Sequence, residues 1–252
     1  MQTLERLLTI RRERGAGYLI LIDPDKIDEA TLPTFVRDAT EAGADGFLVG
    51  GSLLVTDQFE HVLKVIKRNT TLPVVIFPGS LFQVSASADA ILFLVLISGR
   101  NPEHLIGNQV IAAPIIKKMG LEAISTGYML VEAGATTSAE FISNTKPIPH
   151  HKPDIAIAHA IAAETIGMKL LYMDCGSGAD APVSEMMIKA VASHCSLPII
   201  IGGGITNPEQ ARDRVRAGAS FVVTGTVIEE RNHRSVIKDF ADAIHSAVQV
   251  RS

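Results

Sequence analysis

The chain has 252 residues, of which 47% are hydrophobic and 20% are charged, and its formal net charge is −4. This balance excludes a global basic field that would recruit nucleic acid, so we expect no nucleic-acid partner. Its two cysteines, twenty positions apart with no CxxC, argue against a disulfide framework or a thiolate zinc site.

The sequence contains no apolar segment typical of a membrane helix or a signal peptide. The longest apolar run, residues 90–97, is far shorter than the roughly 20 residues that a membrane helix needs. The first residues also lack the continuous apolar core of a signal peptide. We therefore expect a cytoplasmic protein.

In chain order, the first predicted element is a short amphipathic helix before Gly15, with an apolar stripe that favours a core over a membrane surface. Short β-rich runs then alternate with helix-like segments. The runs are residues 18–22, 46–49, 73–77, 91–96, 123–125, 169–173, 198–201 and 221–223. The helix-like segments include residues 32–42, 59–68, 155–166, 184–193 and 208–217.

This alternation predicts one α/β domain over residues 1–252. Apolar strands joined by helical crossovers are typical of a parallel sheet buried on both faces. Eight such units in this length favour a closed (β/α)8 TIM barrel, whose bottom the N-terminal helix would close. The loop at residues 79–88 is small and polar, so we expect a barrel that is modified around strands 3–5 by a missing or shortened helix.

The plainest functional signal lies after strands 7 and 8. Function in such barrels is located at the C-terminal ends of the strands, and glycine-rich loops at these two ends form a recurrent phosphate cup. The loops contain Gly203 and Gly204 after strand 7, and Gly225 and Thr226 after strand 8. The alternative is that these glycines only make tight turns, but two such turns at adjacent strand ends favour phosphate binding.

Strand 6 delivers Tyr172 and Asp174 to a turn in which Gly176 and Gly178 flank Ser177. Glycine leaves the backbone N–H groups open to an anion. A carboxylate one step before such a turn can handle a proton beside a bound phosphate. Cys175 has no histidine near it in sequence, so we interpret it as small filler and not as a nucleophile.

Strand 1 ends in two carboxylates, Asp23 and Asp25, without a cysteine or histidine beside them. Such groups suit Mg2+, which takes one or two carboxylates plus substrate phosphate oxygens. The hydroxyl of Ser52 after strand 2 is a weaker candidate ligand. The alternative is that Asp23 pairs with Lys26 while Asp25 caps the next helix; for Asp25 the two interpretations are about equal.

The remaining polar residues are weaker candidates for a functional site. His150 and His151 follow two prolines and are interpreted as a solvated loop, and His159 has no partner at metal-ligand spacing. Arg100, after strand 4, is either a diphosphate contact or a surface arginine.

As an ordered set, the strand-end motifs resemble the geranylgeranylglyceryl phosphate synthase family and its heptaprenylglyceryl phosphate relatives. The resemblance covers nearly the whole chain. It is carried by Leu21-Ile22-Asp23-Pro24-Asp25-Lys26, Val49-Gly50-Gly51-Ser52, Phe77-Pro78-Gly79-Ser80, Ser98-Gly99-Arg100-Asn101-Pro102, Pro147-Ile148-Pro149, Lys152-Pro153, residues 172–179 and 202–205, and Gly225-Thr226.

The resemblance implies a modified TIM barrel that uses Mg2+ to transfer a polyprenyl chain from its diphosphate to the 3-hydroxyl of sn-glycerol 1-phosphate, for ether-lipid synthesis. Geranylgeranyl is the expected chain. By the same resemblance Asp23 and Ser52 would hold the metal, Asp174 would be the base, and Tyr172 would orient the glycerol. The glycerol phosphate would be bound by Tyr172, Met173, Asp174, Cys175, Gly176, Ser177, Gly178, Gly203, Gly204, Gly225 and Thr226. Phe77, Phe93 and Leu94 are candidates for the apolar groove of the tail, because their strands flank the metal end.

Two positions depart from the family pattern. The residue at Asp174 is commonly glutamate, so a base here is one methylene shorter. Some members carry a lysine where this chain has Leu21. Leu21 resembles the branch that forms larger assemblies, so we expect a homo-oligomer, a hexamer rather than a dimer, with a transient membrane-surface contact for the prenyl substrate.

Two other functions compete with this prediction. A phosphate-sugar isomerase of the aminoimidazole type needs aspartates at the ends of strands 1 and 5, and the predicted end of strand 5, Thr126-Gly127-Tyr128, offers none. A non-catalytic phosphometabolite-binding barrel would use the same cup and leave the acidic groups structural.

Overall fold

Eight parallel strands form a closed barrel in which sequential strands are neighbours and the last strand pairs with the first. The computed structural model describes residues 1–229 and 233–248. The strands are β1 (Gly17–Ile22), β2 (Gly46–Val49), β3 (Val74–Ile76), β4 (Ala90–Leu96), β5 (Glu122–Leu130), β6 (Leu170–Asp174), β7 (Ile199–Gly202) and β8 (Phe221–Thr224). The predicted (β/α)8 barrel is confirmed.

Helices surround the barrel, except that none lies between β3 and β4, a stretch that is described throughout. They are α1 (Thr3–Arg14), α2 (Leu32–Ala42), α3 (Phe59–Asn69), α4 (Asn108–Met119), α5 (Ser138–Ser143), α6 (Pro153–Ile166), α7 (Glu185–Ala192), α8 (Pro208–Ala217), α9 (Thr226–Glu229) and α10 (His233–His245). A π-helical turn, Glu103–Gly107, precedes α4. Among the described residues, no helix is long and apolar enough to cross a bilayer.

The period-two alternation of each strand sorts its side chains into two apolar layers. On β6, Leu170 and Tyr172 belong to the cluster inside the barrel, with Leu19 of β1 and Ile200 of β7. Leu171 and Met173 belong to the larger cluster between the strands and the helices. The side chain of Asp174 therefore shares its face with that of Tyr172.

Helix α1 closes the bottom of the barrel, as its apolar stripe predicts. Leu7 is buried in the barrel-interior cluster, with Leu4 and Ile10 packed beside it. The carboxylate of Glu122, at the start of β5, accepts hydrogen bonds from the backbone N–H groups of Thr3 and Leu4. These are N–H groups of the first turn, which have no partner within the helix.

The predicted extent of strand 5 is wrong. Residues 123–125 were expected as a strand that ends in a turn, whereas β5 continues to Leu130. The extra length is paired along both β4 and β6, and Gly127 allows close packing, because a Cβ there would lie 2.9 Å from the sulfur of Met168. Tyr128 is consequently an interior strand residue, and the first carboxylate after the strand is Glu132.

Candidate functional site

One cavity of about 760 Å³ opens at the C-terminal ends of the strands, and most of the predicted site residues line it. These are Asp23, Ser52, Tyr172, Asp174, Gly176, Ser177, Gly178, Gly203, Gly204, Gly225 and Thr226. Met173 and Cys175 are not among its lining residues, because their side chains point into the outer apolar layer. Any contact they make with a ligand is therefore limited to the backbone.

The glycine turns after β6, β7 and β8 meet at one end of this cavity. Gly203 and Gly204 have φ of +78° and +70°, and a Cβ on Gly203 would lie 2.6 Å from the backbone nitrogen of Gly176. Within the described part of the chain, nothing accepts a hydrogen bond from the N–H groups of Gly203, Gly204 and Gly225. Three unpaired donors beside the first turn of α9 make a cup suited to a phosphate.

Asp174 lies beside this cup as a buried carboxylate held at both oxygens. The hydroxyl of Tyr128 donates to its Oδ2 atom at 2.6 Å, and the N–H group of Gly176 donates to its Oδ1 atom at 2.8 Å. Burial raises the pKa of Asp174, and these two hydrogen bonds act in the opposite direction because they favour the charged form. The arrangement is that of a positioned proton acceptor.

Three aromatic rings form the floor below Asp174. The rings of Phe77 and Tyr172 stack with centroids 4.7 Å apart, and the ring of Tyr128 is tilted against both. Burial raises the pKa of Tyr172 well above its ordinary value, so its hydroxyl stays protonated at neutral pH. Among the described residues none hydrogen-bonds this hydroxyl, which leaves it free to donate to a ligand.

The carboxylate of Asp23 lies at another part of the same cavity. Its Oδ2 atom is 3.2 Å from the ammonium nitrogen of Lys26, and its Oδ1 atom accepts the N–H group of Asp25 at 3.1 Å. Asp25 does not line the cavity, since its carboxylate caps the loop after β2 through the N–H groups of Val55 and Thr56. Of the two acids, only Asp23 is placed to meet a ligand in the cavity.

Gln83, which the sequence analysis did not single out, holds the loop that carries Ser52. Its buried amide accepts a hydrogen bond from the N–H group of Gly51 at 3.2 Å and donates to the Gly51 carbonyl at 2.8 Å. The Gln83 side chain thus pairs both the backbone N–H and the backbone carbonyl of Gly51. Tyr128 and Gln83 are the two contributors that local patterns did not indicate.

An apolar arm extends the cavity past the strand ends. Phe77, Phe93 and Leu94, the predicted groove residues, all line it. Because no helix covers the gap between β3 and β4, the arm also reaches Ala112 and Ile116 on α4. Arg100 lies elsewhere: its guanidinium donates to the carbonyl oxygens of Ile97 and Gly99 and it does not line the cavity.

The sequence model of the PcrB family matches residues 8–244 of the chain. The chain belongs to the PcrB family. This protein is 48% identical over 241 residues to the geranylgeranylglyceryl phosphate synthase of Chitinophaga pinensis, with 95% of each chain covered. It is 41% identical over 238 residues to the enzyme of the same name from Korarchaeum cryptofilum, with 94% of this chain and 98% of that one covered.

A solved structure has the same fold over the same extent. The crystal structure of (S)-3-O-geranylgeranylglyceryl phosphate synthase from Thermoplasma acidophilum, in complex with its substrate sn-glycerol-1-phosphate, matches this PcrB-family chain with a TM-score of 0.91. The two sequences are 32% identical, and the match covers 97% of this chain and 99% of that chain.

The hydrogen bond from Tyr128 predicts how the pKa of Asp174 responds to a substitution. Tyr128→Phe removes a donor to the ionised carboxylate, so we expect the pKa of Asp174 to rise. The carboxyl carbon of Asp174 would be followed by NMR through a pH titration of ¹³C-labelled protein. Tyr172→Phe is the matched control, since the Tyr172 hydroxyl does not bond the carboxylate. A Tyr128→Phe titration identical to wild type would contradict the assignment.

Proposed function

We propose that this protein is a prenyltransferase that joins a polyprenyl diphosphate, geranylgeranyl diphosphate in the first place, to the 3-hydroxyl of sn-glycerol 1-phosphate and releases diphosphate. The observation that carries the proposal is the single cavity in which a glycine cup with a buried carboxylate, an acidic strand end and a long apolar arm are joined. The names of the relatives and the match to a structure that holds sn-glycerol-1-phosphate support it.

The cup defines the acceptor end. The N–H groups of Gly203, Gly204 and Gly225 would bind the phosphate of sn-glycerol 1-phosphate, with the hydroxyl groups of Ser177 and Thr226, whose oxygens are 3.3 Å apart, at its edge. Asp174 then faces the glycerol part of the bound molecule, and the hydroxyl of Tyr172 orients it. Fixing the 3-hydroxyl in this way turns a bimolecular attack into a nearly unimolecular one.

Asp23 defines the donor end, and its surroundings fit Mg2+. The side chains of Asp23 and Ser52 offer the cavity a carboxylate and a hydroxyl, and oxygen atoms are the ligands that Mg2+ prefers. When bound, the ion would neutralise charge on the leaving diphosphate as a Lewis acid. The ammonium group of Lys26, already 3.2 Å from Asp23, adds a positive charge at the same end.

The transfer itself needs one proton acceptor. The 3-hydroxyl oxygen forms a bond to C1 of the prenyl chain while the C1–O bond to diphosphate breaks, and the bonding electrons leave with the diphosphate. The hydroxyl proton passes to Asp174. The apolar lining by Phe93, Ala112 and Ile116 would hold the tail and keep water from the reacting carbon.

The competing isomerase would need a carboxylate at the end of strand 5, and β5 does not bring one to the cavity. Glu132, the first acid after β5, is exposed and accepts a hydrogen bond from the His150 backbone, and among the described residues that line the cavity β5 contributes no acid. A barrel that only bound a phosphometabolite would have no use for the arm. Both alternatives are therefore less favoured.

We also propose an assembled, membrane-visiting state. Helix α4 exposes Val110, Ile111 and Ile115, an apolar face suited to a second copy of the chain, and the hexamer expected from Leu21 remains our proposal. Light scattering would give the mass in solution.

Phe82, 94% exposed, and Phe141 lie on segments that line the cavity, and vesicle sedimentation would test their contact with a bilayer.

The metal assignment predicts unequal effects of two neighbouring acids. With labelled sn-glycerol 1-phosphate, geranylgeranyl diphosphate and Mg2+, wild type should form a product that partitions into organic solvent. Asp23→Asn should lower its rate at least about 100-fold, because a charged ligand is lost. Asp25→Asn keeps an acceptor for the loop it caps and should lose less than about tenfold.

Two results would count against the proposal in this assay. Absence of a lipid-soluble product with wild-type protein would reject prenyl transfer. Near-full activity of Asp23→Asn, with Mg2+ still required, would reject Asp23 as the metal ligand while leaving the reaction in place.

The arm predicts a length-dependent effect of one side chain. Ala112→Phe fills the cavity from α4, so we expect kcat/KM for geranylgeranyl diphosphate to fall about tenfold or more, and that for geranyl diphosphate to change little. Ala113→Phe, on the exposed side of the same helix, is the matched control. Equal losses for both chain lengths would show that the tail does not pass Ala112.

A further inference from the structure

A cluster of metal-ligating side chains lies outside the cavity, where β5 ends and α6 begins. Glu132, His150 and His151 each offer one ligand atom, and these atoms all lie within 4.8 Å of one another. Among the described residues it is the only group of three such side chains. All three are exposed, and the reaction proposed for the cavity uses none of them.

The donors are two imidazole nitrogens and one carboxylate oxygen. Such a set suits borderline divalent ions such as Zn2+, Ni2+ and Cu2+, whereas Mg2+ prefers oxygen ligands alone. The Nδ1 atom of His150 is 3.1 Å from Oε2 of Glu132, and the rings of His150 and His151 meet edge to face with centroids 5.2 Å apart. Three protein ligands leave a fourth position of a tetrahedral ion to water.

The backbone holds these three residues in place before any ion binds. Val131 and Ile148 form a parallel bridge, and the N–H group of Glu132 donates to the Ile148 carbonyl at 2.9 Å. The N–H group of Lys152 donates to the Pro149 carbonyl at 3.0 Å, immediately before α6. A site built on such fixed backbone loses little conformational entropy when it binds an ion.

The position of the cluster gives an ion there a structural consequence. Glu132 precedes residues 133–149 and the two histidines follow them, so one ion would join the two ends of this segment. The segment carries α5, and Ser138, Ala139 and Ile142 line the cavity. A link between side chains there adds to the Val131–Ile148 bridge and further restricts opening of the segment.

We propose that Glu132, His150 and His151 bind one borderline divalent transition-metal ion, which fastens the base of the cavity-lining segment 133–149. The site is separate from the Mg2+ site assigned to Asp23 and does not depend on the prenyl-transfer reaction. Its ligand set of two imidazoles and one carboxylate differs from the carboxylate and hydroxyl assigned to Mg2+ in the cavity.

Titration calorimetry with ZnCl2 at pH 7.5, on the full chain without a histidine tag and with excess Mg2+ present, tests the site. We expect one Zn2+ per chain in wild type, and at least tenfold weaker binding in each of His150→Ala and His151→Ala. His61→Ala is the matched control, since His61 is exposed and lies 4.0 Å from one carboxylate, Glu29, and should bind as wild type does.

The experiments test metal binding and the fastening of segment 133–149 separately. Unchanged Zn2+ affinity in both histidine variants, or an equal loss in His61→Ala, would overturn the site. Limited proteolysis within residues 133–149 tests the fastening: Zn2+ should slow cleavage in wild type about threefold or more and leave the His150→Ala rate unchanged. An equal cleavage rate of the wild type with and without Zn2+ would overturn the proposal that the ion fastens this segment.

Discussion

The burial of one carboxylate constrains the whole acceptor end of this barrel. A charge removed from water has to be compensated by donors close to it, and Asp174 obtains them from Tyr128 on the neighbouring strand and from the backbone of Gly176. The same crowding dictates the opposite wall, because a Cβ on Gly203 would lie 2.7 Å from an oxygen of Asp174. Asp174, which we propose as the proton acceptor, and the glycine turn at Gly203 are therefore packed directly against each other.

The part of the cavity near Asp23 is shaped by the missing helix between β3 and β4. With no helix between β3 and β4, the loop after β3 folds inward, and Gln83 pairs with both backbone groups of Gly51. That contact fixes the turn that bears Ser52 beside Asp23. The same cavity runs to α4, so the missing helix accompanies both the support for the turn beside Asp23, the metal ligand that we propose, and the apolar space that we propose for the prenyl chain.

Local patterns predict much of this arrangement. The apolar runs, the glycine turns, the polar loop in place of a helix and the acid at Asp23 are all local features, and the barrel and the list of strand ends follow from them. The extent of β5 does not follow, because Thr126 and Gly127 resemble a turn until pairing on both sides extends the strand. Tyr128 was missed for that reason, and Gln83 because its partner is far away in sequence.

The most direct test of the central claim is the binding of sn-glycerol 1-phosphate alone, measured by calorimetry on wild type, Gly203→Ala and Gly167→Ala. Both glycines have positive φ, but a Cβ on Gly167 meets nothing within 4 Å, so this variant carries the backbone strain without the clash. We predict that Gly167→Ala binds as wild type does and that Gly203→Ala binds at least about 100-fold more weakly. Equal binding by Gly203→Ala and wild type would contradict a phosphate site built against Asp174.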